Sequence, residues 1–189
     1  MSFQHGSVCI AVATHKAYRM PQGSIYLPLH VSAALHPDVL ADMTGDNTGD
    51  NISDLNASYS ELTGLYWLWK NVHADYKGLV HYRRLPGSKR PSAKHDKNPY
   101  KQIIQEEELL QLLSNNDVVV ARRRNYYIEN VYDHYDHTFD GTQFDELRAA
   151  MALKEPKYVD AWDSLMHSTK VHVFNMFVMP SDLFDAYCS

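Results

Sequence analysis

Val8-Cys9-Ile10-Ala11-Val12-Ala13 is an unbroken apolar run rich in β-branched residues. It has no polar face to give to solvent, so it predicts a strand buried on both sides, as in parallel sheets. Residues 25–31 form a second extended candidate, interrupted by Pro28. The stretch 44–56 is polar and rich in Gly, Asn and Asp, and reads as a loop. Ser58 and Glu61 have capping-box spacing and predict one helix running to Asn71. On that helix Glu61, Leu65 and Trp69 share one face, and Leu62, Tyr66 and Lys70 another. Residues 78–82 predict a strand ending in Arg83-Arg84, and 86–99 a basic, mobile loop. A helix with an acidic first turn follows over 106–113, then a buried strand over 117–121 tipped by Arg122-Arg123-Arg124. Helical patterns cover 129–137, 144–153 and 157–166, an apolar strand covers 171–179, and a last helix begins near Ser181, its candidate cap. Strands alternating with helices predict a single α/β domain: a central, mostly parallel sheet flanked by helices, of Rossmann-related kind.

Composition narrows the classes. Of 189 residues, 44% are hydrophobic and 22% charged, enough for one core. The formal net charge of -5 provides no basic field for nucleic acid, although Arg122-Arg123-Arg124 with Tyr126-Tyr127 imitates a basic-aromatic patch. Cys9 and Cys188 lie near opposite ends and imply no disulfide framework, which points to a reducing cytoplasm. No apolar run approaches the roughly 18 residues of a membrane span, and residues 1–7 read as a polar leader rather than a signal peptide.

The candidate chemistry sits at strand tips. Thr14-His15-Lys16 follows the first strand, and His81-Tyr82-Arg83-Arg84 ends the middle one. A doubly wound sheet brings such tips to one edge, where ligands bind. Arginine grips phosphate oxygens in a bidentate fork, so the combined tips suit a diphosphate; solvated strand ends would carry the same charges. Residues on an extended tip alternate in direction, so one arginine is expected to face the ligand and the other the protein. The loop holding Asp46, Asn47, Asp50 and Asn51 has carboxylates spaced somewhat like a calcium loop, but the glycine and terminal glutamate positions do not match. Asx turns aimed at a ligand, or plain turn chemistry, fit it better. Glu61, beside an aromatic stripe, needs a partner: an arginine of the crevice, or the ligand itself.

Four blocks carry a family resemblance: 13–16, 45–53, 59–71 and 75–84, with 133–135 and 174–179 in support. Together they closely resemble the domain of unknown function 4422 family, from Val8 onward. The resemblance implies a GT-A-like glycosyltransferase of capsular or exopolysaccharide assembly, galactofuranosyl transfer included. It implies a nucleotide-sugar donor, commonly uridine-linked, and a saccharide or lipid-linked oligosaccharide acceptor at the inner membrane face. The enzyme would then be cytoplasmic or peripheral to that membrane. Two departures stand out: members continue past the last helix, so the chain reads as truncated, and Leu85-Pro86-Gly87 stands where an aromatic pair is usual.

Most GT-A enzymes hold a metal with Asp-x-Asp, which this sequence lacks. His81-Tyr82-Arg83-Arg84 occupies that place by strand order, so a metal-independent donor site is expected, with a divalent cation optional. Arg83 and Arg84 would stabilise the leaving diphosphate, with Lys16 assisting. Thr14, His15, Asp46, Asn47, Asp50, Asn51, Glu61, His81, Tyr82 and Asn175 would bind the donor. Asp133 and His134 are candidate bases, though a helix-surface pair has the same appearance. The alternative is a non-catalytic module that binds a nucleotide-sugar or carbohydrate.

Overall fold

The computed structural model describes residues 6–189, so most of the polar leader lies outside the described residues. In chain order the elements are β1 (Val8–Thr14), β2 (Tyr26–His30), α1 (Asn56–Tyr59), α2 (Leu62–Asn71), β3 (Tyr76–His81), α3 (Glu106–Leu113) and β4 (Val119–Val120). Then come β5 (Arg124–Asn125), α4 (Val131–Asp136), α5 (Thr142–Lys154), α6 (Val159–Met166), β6 (Lys170–Val171), β7 (Phe177–Pro180) and α7 (Ser181–Cys188). These residues group into two compact units: one runs to Val120 and resumes at Asn175–Ser189, the other is Ala121–Phe174.

The first unit is built on a five-stranded sheet in the order β2-β1-β3-β7-β4. The apolar run of β1 lies at its heart because both of its faces are covered: Ile10, Ala11 and Val12 are wholly buried. β1 pairs in parallel with β2 and with β3, in registers such as Thr14↔His30 and Ala13↔His81. Pro28 sits inside β2 and is tolerated there because β2 is an edge strand, where a missing N–H need not break a ladder. On one face, Leu65, Trp67 and Leu68 of α2 and Phe184 of α7 pack with Ala11, Ala13, Leu29 and Leu79. Gly64 lets α2 approach β2 closely: a Cβ there would lie 2.7 Å from Val31 Cγ1. The second unit has its own small core of Val131, Met166 and Val171, ringed by Tyr126, Tyr132, Phe144 and Trp162. Its β5 and β6 pair antiparallel, and Arg148 grips Asp163 with two donors at 2.6 Å.

The α/β class holds, and several local expectations change. β7 is antiparallel to both β3 and β4, so the sheet is mixed, although the other four strands run the same way. The strand expected over 171–179 splits into β6 and β7, which belong to different sheets. That expected over 117–121 shrinks to the two residues of β4 at the sheet edge, with Val120 49% exposed. The single helix expected from Ser58 breaks at Ser60, whose φ is 49°. No capping box forms, because Glu61 precedes α2 without a side-chain cap bond. Ser181 does not cap α7 either; its hydroxyl donates to the Ala74 carbonyl.

Gly78 of β3 lies close against β7. A Cβ there would lie 2.5 Å from the Phe177 carbonyl oxygen and 2.7 Å from Val178 Cγ2. Gly78→Ala therefore forces β3 and β7 apart, and we expect it to lower stability by about 1–3 kcal/mol, read as a lower urea midpoint at unchanged slope.

Candidate functional site

The C-terminal ends of β1, β2 and β3 lie side by side because these strands are parallel and adjacent. A cavity of about 610 Å³ opens at those ends. Its walls include His15, Ser32, His36, Asn56, Ser60, Glu61, His81, Tyr82, Arg83 and Arg84. The structure thus brings the two polar strand tips together.

At the first tip, Thr14 is buried, and its hydroxyl donates to the Lys16 carbonyl at 2.7 Å. Thr14 shapes the turn that presents His15 and Lys16. At the second tip, Arg84 N donates to His81 O at 2.9 Å, and Tyr82 N donates to Ala13 O at 3.1 Å. The first bond closes a tight turn and the second ties it to β1. This turn replaces the extended tip expected from sequence, so strand alternation does not apply and both arginines line the cavity. Tyr82 is the hub. His15 and Tyr18 meet its ring edge-on at 5.6 and 5.0 Å, while Arg83 and Lys16 stand 5.2 and 5.9 Å from its centroid. Its buried hydroxyl has no hydrogen-bond partner among the described residues, and neither does Nε2 of buried His30. Unpaired buried polar atoms are rare, and these two occur in the cavity wall and one residue before wall residue Val31.

The third wall comes from the break between α1 and α2. Asn56 Nδ2 donates to Ser60 O at 2.6 Å and to Thr63 Oγ1 at 2.9 Å. Ser60, left-handed, turns Glu61 toward the sheet. Glu61 Oε1 lies 3.4 Å from His81 Nε2 and accepts from Asn175 Nδ2 at 3.1 Å. Burial lowers the His81 pKa below the usual imidazole value; Glu61 opposes this, and Arg84 and Arg83 add to it. The net effect disfavours the imidazolium form of His81.

The polar loop has another task. Asp46 is fully buried. It accepts from Ser32 N at 3.2 Å, Ala33 N at 3.1 Å and Thr63 Oγ1 at 2.6 Å, and from the Ser53 hydroxyl. Asn51 bonds Gly49 O and Ser53 N, and Asp50 accepts from Tyr66 OH at 3.1 Å. Asn47 is exposed. None of Asp46, Asn47, Asp50 and Asn51 lines the cavity. The hydrogen bonds of Asp46, Asp50 and Asn51 are made to the protein itself, those of Asp46 in its interior. Asp133 and His134 belong to the second unit, on α4. There Asn130 caps the Asp133 N–H at 2.7 Å, and His134 stacks on Tyr126 and meets Glu129 at 2.8 Å.

Sequence reading missed Ser32, His36, Asn56 and Ser60. Ser32 adopts φ 69° to accept its place against Asp46, and a lone serine carries no such signal. Among the described residues no group of three or more His, Cys, Asp or Glu is arranged to hold a metal ion, and no helix is long and apolar enough to cross a membrane.

Comparison with known proteins gives two matches. The family described as Domain of unknown function (DUF4422) matches over residues 9–189. Among solved structures, the apo form of the bifunctional glycosyltransferase WbbM superposes with a TM-score of 0.82 at 30% identity. The match covers 96% of this chain and 35% of that one, so the chain spans about a third of the length of WbbM. No curated protein matches.

Two predictions follow from the wall. Asp46→Ala leaves two backbone N–H groups and two hydroxyls buried without their acceptor, and should cost about 3 kcal/mol or more in urea unfolding. His30 and His81 both have folded pKa values below 6.5, burial being the largest cause. The unfolded chain therefore takes up protons first, and stability should fall as pH drops from about 6.5 through the folded values, with little histidine effect above. Unfolding midpoints followed from about pH 7.5 to about pH 5 should show this slope, and His30→Asn should flatten it.

Proposed function

Because the chain belongs to the family described as Domain of unknown function (DUF4422) and shares the fold of a glycosyltransferase, we propose that it transfers a sugar from a nucleotide-sugar to a saccharide hydroxyl. The observation that carries this reading is the cavity at the ends of β1, β2 and β3, into which one tight turn delivers His81, Tyr82, Arg83 and Arg84. The two guanidinium groups are the diphosphate site. As the glycosidic bond breaks, its electron pair moves to the diphosphate, and fixed cations gain most at that moment. Arginine stays charged at any working pH. His15 and Tyr82 add an aromatic wall suited to a nucleobase or sugar face, and Lys16 stands 5.9 Å from the Tyr82 ring.

Uridine is the nucleoside in this reading, galactofuranose is among the candidate sugars, and the acceptor is a surface polysaccharide or its lipid-linked precursor in the cytoplasm or at the membrane face. In this reading the two arginines of the crevice take the part that a metal held by Asp-x-Asp plays elsewhere, and a divalent cation is optional.

In a thermal-shift panel, uridine diphosphate and its sugars should raise the melting temperature more than other nucleotide diphosphates. Equal shifts for all would count against uridine. Arg83→Ala and Arg84→Ala should each reduce turnover by about two orders of magnitude or more, while EDTA changes little. Turnover abolished by EDTA and spared in both variants would overturn the arginine site. Binding without any turnover of a nucleotide-sugar would indicate a non-catalytic module.

A further inference from the structure

We infer that Glu61 is the base that deprotonates the acceptor hydroxyl, with Asn175 and His81 as its positioning residues; this rests on the transferase reading above. Among the described residues lining the cavity, Glu61 is the only carboxylate. It shares that cavity with Arg83 and Arg84, so a proton acceptor and a leaving-group site open into one space. Its placement is built. The left-handed Ser60 breaks the helix ahead of it, and the Asn56 amide holds that break by bonding the Ser60 carbonyl. In a straight helix Glu61 would reach back to the backbone of Ser58 as a capping box. Turned at Ser60, it meets β3 instead. Asn175 Nδ2 and His81 Nε2 both address Oε1, at 3.1 and 3.4 Å, which leaves Oε2 as the oxygen for an incoming hydroxyl.

The chemistry balances as a single displacement. The acceptor oxygen forms a bond to the anomeric carbon. The bond from that carbon to the diphosphate oxygen breaks, its electron pair leaving with the diphosphate on Arg83 and Arg84. The hydroxyl proton goes to Glu61. One displacement inverts the anomeric centre.

His81 keeps the base usable. Glu61 faces it from the start of α2, and Arg83 and Arg84 from its own turn, while His15 lines the same cavity from the tip of β1. At 3.4 Å from Oε1, an uncharged His81 would steady the carboxylate without acting as a full counter-charge. Protonated His81 would compete for it, so turnover should decline as His81 titrates at acid pH.

The test compares Glu61→Gln, His81→Gln and Asn175→Ala with the parent, each checked for an unchanged melting temperature and uridine diphosphate binding. Glu61→Gln is isosteric and still able to hydrogen-bond sugar hydroxyls, yet it cannot take a proton. It should lower kcat by about two to four orders of magnitude with donor KM changed little. Asn175→Ala and His81→Gln should lower kcat by about tenfold, and His81→Gln should move the acid limb of the pH profile. Products should show inverted configuration by NMR. A parent that neither binds a nucleotide diphosphate nor turns over a nucleotide-sugar sinks the transferase reading and this assignment with it. An active parent with Glu61→Gln within about threefold in kcat, with retained configuration, or with His81→Gln more damaging than Glu61→Gln, sinks the assignment alone.

Discussion

The Asp46 carboxylate is taken wholly out of water and met by four donors: the N–H groups of Ser32 and Ala33 and the hydroxyls of Ser53 and Thr63. A buried charge with fewer partners would be strongly unfavourable, so these donors have little freedom to move. They come from three segments, and only Ser32 among them lines the cavity. Ser32 and Ala33 follow β2, Ser53 opens the short turn before α1, and Thr63 lies in the first turn of α2. The left-handed conformations of Ser32 and Ser60 are held in place by this network. Backbone strain of that kind persists only where its surroundings over-determine it.

From that anchor the site assembles by simple adjacency. Parallel pairing of β1 with β2 and β3 sets three C-terminal ends in a row, and each chain then turns through its own hydrogen bond. Tyr82 fills the space between the first and third tips. Its ring accepts cations and aromatic edges together, so it orders side chains that share no salt bridge with it.

Glu61 links the electrostatics of the cavity to the fold. Its two contacts come from β3 and from the residue that opens the final segment of the first unit. The carboxylate therefore reports on whether β3, α2 and that segment are all in place. Two arginines, an imidazole whose pKa burial lowers and one carboxylate thus line the same cavity.

What the sequence determined by itself is what local pattern can encode. The run at β1, the strand before Arg83, the acid-started helix α3 and the helices of the second unit were all legible, because burial repeats with each element's own period. The tips were legible as polar ends on apolar strands, and so was their meeting in one crevice. The reversed direction of β7, the split of 171–179 and the break at Ser60 were not, since the apolar content of a segment is the same whichever way it runs or bends. The loop of Asp46 looked ligand-facing for the same reason: Asp and Asn in turns hydrogen-bond protein and ligand alike, and only packing decides which is within reach. Glu61 and Asn175 lie 114 residues apart, and Asp46 and Thr63 lie 17 apart. Such partners are chosen by which elements the core brings together, so only the tertiary structure could decide that Asp46 would hold the wall and Glu61 would face the cavity.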